Sequence, residues 1–288
     1  MSIPKLASFY WGNERMSYLR YLTLASFRKQ NPDWTIRLYV NNSPIGRTWG
    51  IGAAMEKEWY GGPDYMDRLP ALGVEIIPAA TRGIEAITGP LNDVHLSNLV
   101  GFDVLANEGG CVFDMDILFI RPIDKTIKAL GDAHAGRIEF QIAAANGETR
   151  LGYTPVCFLA SAGDSSFWQE VLAFSIKSQS PGDYESACTP ALTEVPKFPL
   201  WRDNRWIKLI PQESVFPFSI FPEMDFMAMT WTVHFGDGRD RISPDAIGVH
   251  WNGGSDNGTK HCAQVTEETL RQHKDTLCLL AAEMGFGK

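Results

Sequence analysis

Apolar positions recur along this chain with two periods, and each change of period marks an element. Residues 5–11, KLASFYW, form an apolar run that ends in Phe9, Tyr10 and Trp11, and Gly12 turns the chain after it. Residues 16–29 carry Tyr18, Leu19, Leu22 and Ala25 at helical spacing, and Pro32 stops the helix. In TIRLYV, residues 35–40, Ile36, Leu38 and Val40 alternate with Arg37 and Tyr39, which predicts a strand with two different faces. A strand, a helix and a strand in about 40 residues is the size of a βαβ unit. GVEIIP, residues 73–78, predicts a short strand. Residues 94–106 predict a helix with Leu96, Leu99, Val100 and Val104 on one face and Gly109-Gly110 behind its end.

Further on, residues 111–120, 137–145, 155–161 and 246–251 predict strands, and Asp164 is placed to cap a helix running to about Lys177. Residues 43–70 and 180–225 show no clear period, and the second of these reads as a long folded loop region with short elements. Thr266 to Met284 predicts a closing amphipathic helix, with Glu267 and Glu268 in its first turn and Gly285 at its end. Alternating strands and helices predict an α/β fold with a mostly parallel central sheet flanked by helices. No shift in composition divides the chain, so one domain over residues 1–288 is expected.

Composition adds little until charge is considered. The chain has 288 residues, 44% hydrophobic and 21% charged, which is ordinary for a globular protein with a sizeable core. Its net charge of −8 argues against a nucleic acid bound over a broad surface. There is no basic leader and no apolar run near the ~20 residues that span a bilayer, so a cytoplasmic protein without a transmembrane segment is expected. The five cysteines, Cys111, Cys157, Cys188, Cys262 and Cys278, are scattered with no CxxC pair, and read as reduced thiols in a core.

One stretch breaks the hydrophobic pattern. In CVFDMDILFI, residues 111–120, Asp114 and Asp116 stand in an otherwise apolar run, where a charge costs several kcal/mol unless something compensates it. In an extended chain residues i and i+2 face one side with Cα atoms roughly 6.5–7 Å apart. The two carboxylates would then share one divalent ion, or an ion and a ligand hydroxyl. Ligands of open α/β sheets sit beyond the carboxyl ends of strands, a suitable place for a metal-bound diphosphate. The plainer alternative is a solvated strand end in which the aspartates cap the next segment.

HLSNLVGFDVLANEGGCVFDMDILFIRPID, residues 95–124, resembles the core signature of the DXD sugar transferases: glycosyltransferase family 32, the yeast mannosyltransferases and the clostridial toxin glucosyltransferases. Ser97, Gly109, Gly110, Asp114, Asp116, Arg121 and Pro122 match in order, and IPKLASFYWGN with the later NPDW resembles the start of that family. The resemblance implies a GT-A fold and a retaining glycosyltransferase that uses Mn²⁺ or Mg²⁺. Its donor would be a nucleotide-sugar, UDP favoured and GDP second, and its acceptor a glycan, lipid-linked or protein hydroxyl. Residues 1–125 would form the nucleotide-sugar half, and residues 126–288 the acceptor side with a C-terminal closing segment.

By the same resemblance Asp116 holds the metal, and Asp114 contacts the metal shell or the ribose. Trp11, with Tyr10 beside it, lies against the base, and Ser97 and Asn98 face the donor. GVHWNGGS, residues 248–255, resembles the late segment that closes over the diphosphate, so His250 or Ser255 would complete the metal shell and Asn252 would reach a phosphate. His234 is a rival metal ligand. TPALT, residues 189–193, resembles a segment near the acceptor, for which Asp183, Glu185, Trp201 and Trp206 are candidates. The family's helical Asp and Arg fall here on Asn98 and Gly101, which share a helix face, so the donor sugar differs, Arg15 or Arg20 substitutes, or activity is lost. The competing readings are a sugar-phosphate transferase and a non-catalytic nucleotide-sugar or sugar-binding module of the same fold.

Overall fold

The structure is a computed structural model. It describes residues 2–12, 15–41, 60–133, 135–137, 140–143, 149–153, 156–180, 182–183, 185–202, 205, 207–211, 214–215, 237–251, 253 and 256–288. The chain opens as its pattern predicts. β1 (Leu6–Trp11), α1 (Tyr18–Gln30) and β2 (Thr35–Val40) form a parallel βαβ unit in which Leu6 pairs Thr35 and Trp11 pairs Val40. β3 (Val74–Pro78) adds in parallel beyond β2. A short helix α2 (Ile84–Thr88) precedes the long α3 (Asp93–Asn107), whose start is capped by the Asn92 side chain accepting from the His95 N–H.

Gly109 and Gly110 then turn the chain into β4 (Gly110–Phe113). Both have positive φ, +77° and +87°, and a Cβ would lie 2.5 Å from Gly163 N or 2.4 Å from Leu6 O, so only glycine permits this return beside β1. Next come β5 (Ile117–Phe119), α4 (Asp124–Leu130), β6 (Ala135–Arg137), β7 (Phe140–Ala143), β8 (Thr149–Tyr153), β9 (Phe158–Ser161), α5 (Ser166–Ser178), α6 (Thr189–Glu194), β10 (Ile207–Leu209), β11 (Gly248–His250), α7 (Asp256–Gln264) and α8 (Thr276–Glu283).

The main sheet runs β10-β6-β9-β4-β1-β2-β3, with β9 antiparallel to its neighbours β4 and β6 and the other pairs parallel. β5 and β11 form a separate antiparallel pair, as do β7 and β8. One face of the main sheet packs Phe9, Phe27, Phe113, Phe119 and Phe158 in contact with one another. The other face carries Phe102, Trp168 and their neighbours on α3 and α5. Helices therefore flank a mostly parallel sheet, and no helix among the described residues is long and apolar enough to cross a membrane.

Four predicted elements are corrected. The single strand over 111–120 is two strands in different sheets, broken at Asp114–Asp116, so the two aspartates do not share a strand face. The strand over 137–145 is likewise divided between β6 and β7. Asp164 does not cap α5: it takes a positive φ of 46°, and Ser165 accepts from the Trp168 N–H instead. The closing helix over 266–284 is a 3₁₀ turn (Leu270–Gln272) and α8, because Asp275 caps a new helix by accepting from Cys278 N–H.

Candidate functional site

The turn Asp114–Asp116 lies at the carboxyl end of β4, next to the carboxyl end of β1. Its position is set by polar groups on α1. Thr23 Oγ1 donates to the Met115 carbonyl at 2.9 Å, Ser26 Oγ accepts from Phe119 N–H at 3.0 Å, and Asn31 Oδ1 accepts from Ile123 N–H at 3.0 Å. The pairing of β11 with β5 sets His250 opposite Ile117 and lets Trp251 N–H donate to the Asp116 carbonyl at 2.9 Å. Four sequence-distant segments thus meet at one turn.

The result is a cluster of Asp114, Asp116 and His250 whose ligand atoms lie within 4.8 Å of one another. His250 Nε2 stands 3.1 Å from Asp116 Oδ1 and 3.5 Å from Asp114 Oδ2. Asp116 is 6% exposed; its Oδ2 accepts from Gly253 N–H at 2.7 Å, while its Oδ1 is buried and faces His250 Nε2 at 3.1 Å. Arg20 approaches Asp116 Oδ2 at 3.8 Å, its guanidinium lying between two indoles, 5.3 Å from the Trp11 ring and 4.8 Å from the Trp251 ring. A Cβ on Gly253 would meet Trp251 at 2.5 Å and Arg20 at 2.6 Å, so glycine is required for its N–H to reach Asp116.

Electrostatics follow from this packing. Burial pushes the Asp116 carboxyl up, but the charge and hydrogen bond of His250, with Arg20 and Gly253 N–H, outweigh it and hold Asp116 below the usual range. Burial lowers the His250 imidazolium, yet the two carboxylates win and push its pKa up to about 10. Asp114, with 38% of its side chain exposed, is pushed up by desolvation and by the Asp116 charge, against the hydrogen bond with His250.

The sign of the linkage is set by His250. Its folded pKa of about 10 exceeds its ordinary 6.5, so its contribution to stability is full below about pH 6.5 and is lost as pH rises through about 10. Without metal, the melting temperatures of wild type and His250→Gln should therefore converge between pH 7 and 10.5. A gap that stays constant over that window would refute the charged pair.

Asp114 also lines a small pocket together with Tyr10, Ser97, Asn98 and Gly101. Tyr10 donates to Asp93 Oδ1 at 2.6 Å, and Asn41 donates to the same oxygen at 2.8 Å. Asn98 is 7% exposed and its Nδ2 has no hydrogen-bond partner. The family arginine position is closed by packing: a Cβ on Gly101 would stand 3.0 Å from Val112 Cγ1. Of the two arginines considered as substitutes, Arg20 reaches the cluster, whereas exposed Arg15 donates to the Gly62 carbonyl at 3.4 Å.

Trp11, expected against the nucleotide base, is 2% exposed and its ring face is covered by Arg20. Trp201 is also no open platform; it packs at 88° against Phe167 and donates to Glu170 at 2.7 Å. Asp183 and Glu185 serve their own turn: Asp183 Oδ1 accepts from Glu185 N–H, and Glu185 accepts from Thr189 Oγ1. Asn252, Ser255, Trp206 and His234 lie outside the described residues. Pattern reading missed Asp93, Trp251 and the Gly253 N–H; only Trp251, adjacent to His250, carried a signal.

No protein-family model and no curated protein matches the chain. Solved glycosyltransferases are similar in structure. PaToxG glycosyltransferase is 16% identical with a TM-score of 0.48, over 67% of this chain and 69% of its own. The glycosyltransferase GlyE of Streptococcus pneumoniae TIGR4 is 12% identical with a TM-score of 0.48, over 96% of this chain and 63% of its own, so this chain spans less than two thirds of it. The galactosyltransferase LgtC, solved with donor and acceptor sugar analogues, is 13% identical with a TM-score of 0.41, over 93% of this chain and 99% of its own.

Proposed function

We propose that the chain is a metal-dependent retaining glycosyltransferase of the GT-A type. It takes a nucleotide-sugar, UDP-linked first and GDP-linked second, and transfers the sugar to a hydroxyl of a carbohydrate, lipid-linked or protein acceptor. Residues 1–125 bind the donor, and residues 126–288 supply the acceptor side and the closing segment. One observation supports this reading above the others: the convergence of Asp114, the buried Asp116 and His250 within 4.8 Å of one another, beside a pocket at the carboxyl edge of the sheet.

Two carboxylates and an imidazole suit Mn²⁺ or Mg²⁺. Asp116 Oδ1, Asp114 Oδ2 and, once it has released its proton to solvent, His250 Nε2 would hold the ion, with Asp114 also reaching the donor. When bound, the ion supplies positive charge against the diphosphate as it leaves. Arg20 adds a permanent charge at the same place, held by the two indoles. Asn98 Nδ2 offers a donor to a ribose or sugar hydroxyl, and Ser97 lies one residue away on the same pocket. With Gly101 closed against Val112, an arginine-type contact to the donor is absent from that position, so the preferred sugar differs from the glucose of the toxin transferases.

Asn98→Ala separates function from stability. Removing a buried donor that has no partner should leave the melting temperature unchanged or higher. Losing one hydrogen bond to the donor should lower kcat/KM by roughly 2- to 12-fold. A variant that melts lower and turns over normally would make Asn98 a packing residue.

The test of the proposal is hydrolysis of a nucleotide-sugar panel with and without Mn²⁺. Mn²⁺-dependent release of sugar from one donor, other than UDP-glucose as the best, is expected. The replaced Asn98 and Gly101 favour one second reading, a nucleotide-sugar binder without catalysis. Binding of UDP or GDP with no sugar released from any donor would establish that reading instead.

A further inference from the structure

The C-terminal segment gathers a second set of metal-ligating groups that shares no residue with the site above. His261 lies on α7, His273 follows the 3₁₀ turn Leu270–Gln272, and Asp275 caps α8. Their ligand atoms all lie within 4.8 Å of one another. His261 and Asp275 are buried, at 6% and 5% exposure. Asp275 divides its oxygens between two tasks. Oδ1 accepts from Cys278 N–H at 2.9 Å and caps the helix, and Oδ2 faces His261 Nε2 at 3.4 Å. The two imidazoles meet edge to face with centroids 5.5 Å apart at 89°. Cys278 Sγ, fully buried, lies 3.9 Å from His261 Nε2.

A single hydrogen bond would explain His261 beside Asp275. It would not explain a second imidazole at the same point, nor the Cys278 thiol 3.9 Å from His261 Nε2. Ligands at about 2.0–2.3 Å from a tetrahedral ion stand roughly 3.3–3.7 Å from each other. The separations of 3.4 and 3.9 Å need only a small adjustment to meet that requirement. Two imidazoles, one carboxylate and a thiol match zinc, whereas hard cations take oxygen ligands.

We propose that His261, His273 and Asp275, with the Cys278 sulfur in reach as fourth ligand, form a structural zinc site that clasps α7 to α8. Ligation by the thiol releases its proton to solvent. The clasp holds the helix that begins three residues after Gly253, whose N–H supports Asp116. Zinc here fixes the fold behind the first site and takes no part in sugar transfer.

The test strips the full-length protein with a chelator and titrates it with Zn²⁺, following heat of binding and melting temperature. Uptake of one equivalent with a rise in melting temperature is expected, both in wild type and in Asp114→Asn, which disables only the first cluster. His273→Gln, at a half-buried position, should lower zinc affinity by at least ~10-fold. The proposal is overturned if wild type takes up no zinc, or if uptake survives His273→Gln and disappears in Asp114→Asn. Should His273→Gln fail to fold, the wild-type and Asp114→Asn titrations decide alone: uptake retained in both supports the clasp, and loss in either rejects it.

Discussion

Asp116→Asn should lower metal-dependent turnover of a nucleotide-sugar by ~10²-fold or more, and it should also lower the melting temperature. The amide keeps the shape of the carboxylate but not its charge. Asp116 Oδ1, which faces His250 Nε2 at 3.1 Å, is then no longer an anionic ligand. The same charge also faces His250 and Arg20 from a buried position. Removing one partner of a buried ion pair typically costs about 3–5 kcal/mol, because the remaining charge stays desolvated. Turnover must therefore be normalised to folded protein, using circular dichroism and a melting curve on each preparation. Full Mn²⁺-dependent turnover in a folded Asp116→Asn variant would remove Asp116 from the site.

Trp11→Ala should destabilise the fold by about 3–5 kcal/mol. The indole is 2% exposed within the main core cluster and carries the Arg20 guanidinium on its ring. Its loss opens a cavity and removes one of the two aromatic faces that hold Arg20 near Asp116. Trp11→Phe should recover much of the stability and most of the cation–π contact. If the nucleotide base also stacks on this ring, Arg20 must yield part of the face, and nucleotide binding at low temperature should weaken by roughly 5- to 150-fold in Trp11→Ala. Titration of UDP and GDP alongside thermal melts separates the two effects. A melting temperature near that of wild type would contradict the buried position.

The elements legible in the sequence were those whose hydrophobic period was long and locally terminated. β1, α1, β2, β3 and α3 appear within one or two residues of their pattern, and Gly109-Gly110 marks the return to the sheet because its backbone geometry admits no side chain. The aspartate turn was misread in detail. An apolar run cannot tell one buried strand from two short ones joined by a tight turn, since Ile117–Phe119 is as buried in its own small sheet as Gly110–Phe113 is in the large one. Asp114 and Asp116 still converge, through the turn and not through strand alternation. His250 was one candidate, with Ser255 and His234, from the resemblance of GVHWNGGS to a family segment and not from any period, and Arg20 reaches the site through the tertiary stacking of Trp11 and Trp251, which no local period reports. The clasp ligands His261, His273, Asp275 and Cys278 follow no short metal motif. Their meeting depends on a helix break at Asp275, and the amphipathic period across 266–284 concealed that break.

The most direct test is a crystal structure of the protein soaked with Mn²⁺ and UDP, with the ion located by its anomalous scattering. One Mn²⁺ peak is expected among Asp114, Asp116 and His250, with UDP bound beside it at the carboxyl edge of β1 and β4. A manganese peak elsewhere with this cluster still closed by the His250 pairing, or UDP bound away from the carboxyl edge of β1 and β4, would contradict the metal-dependent transferase reading.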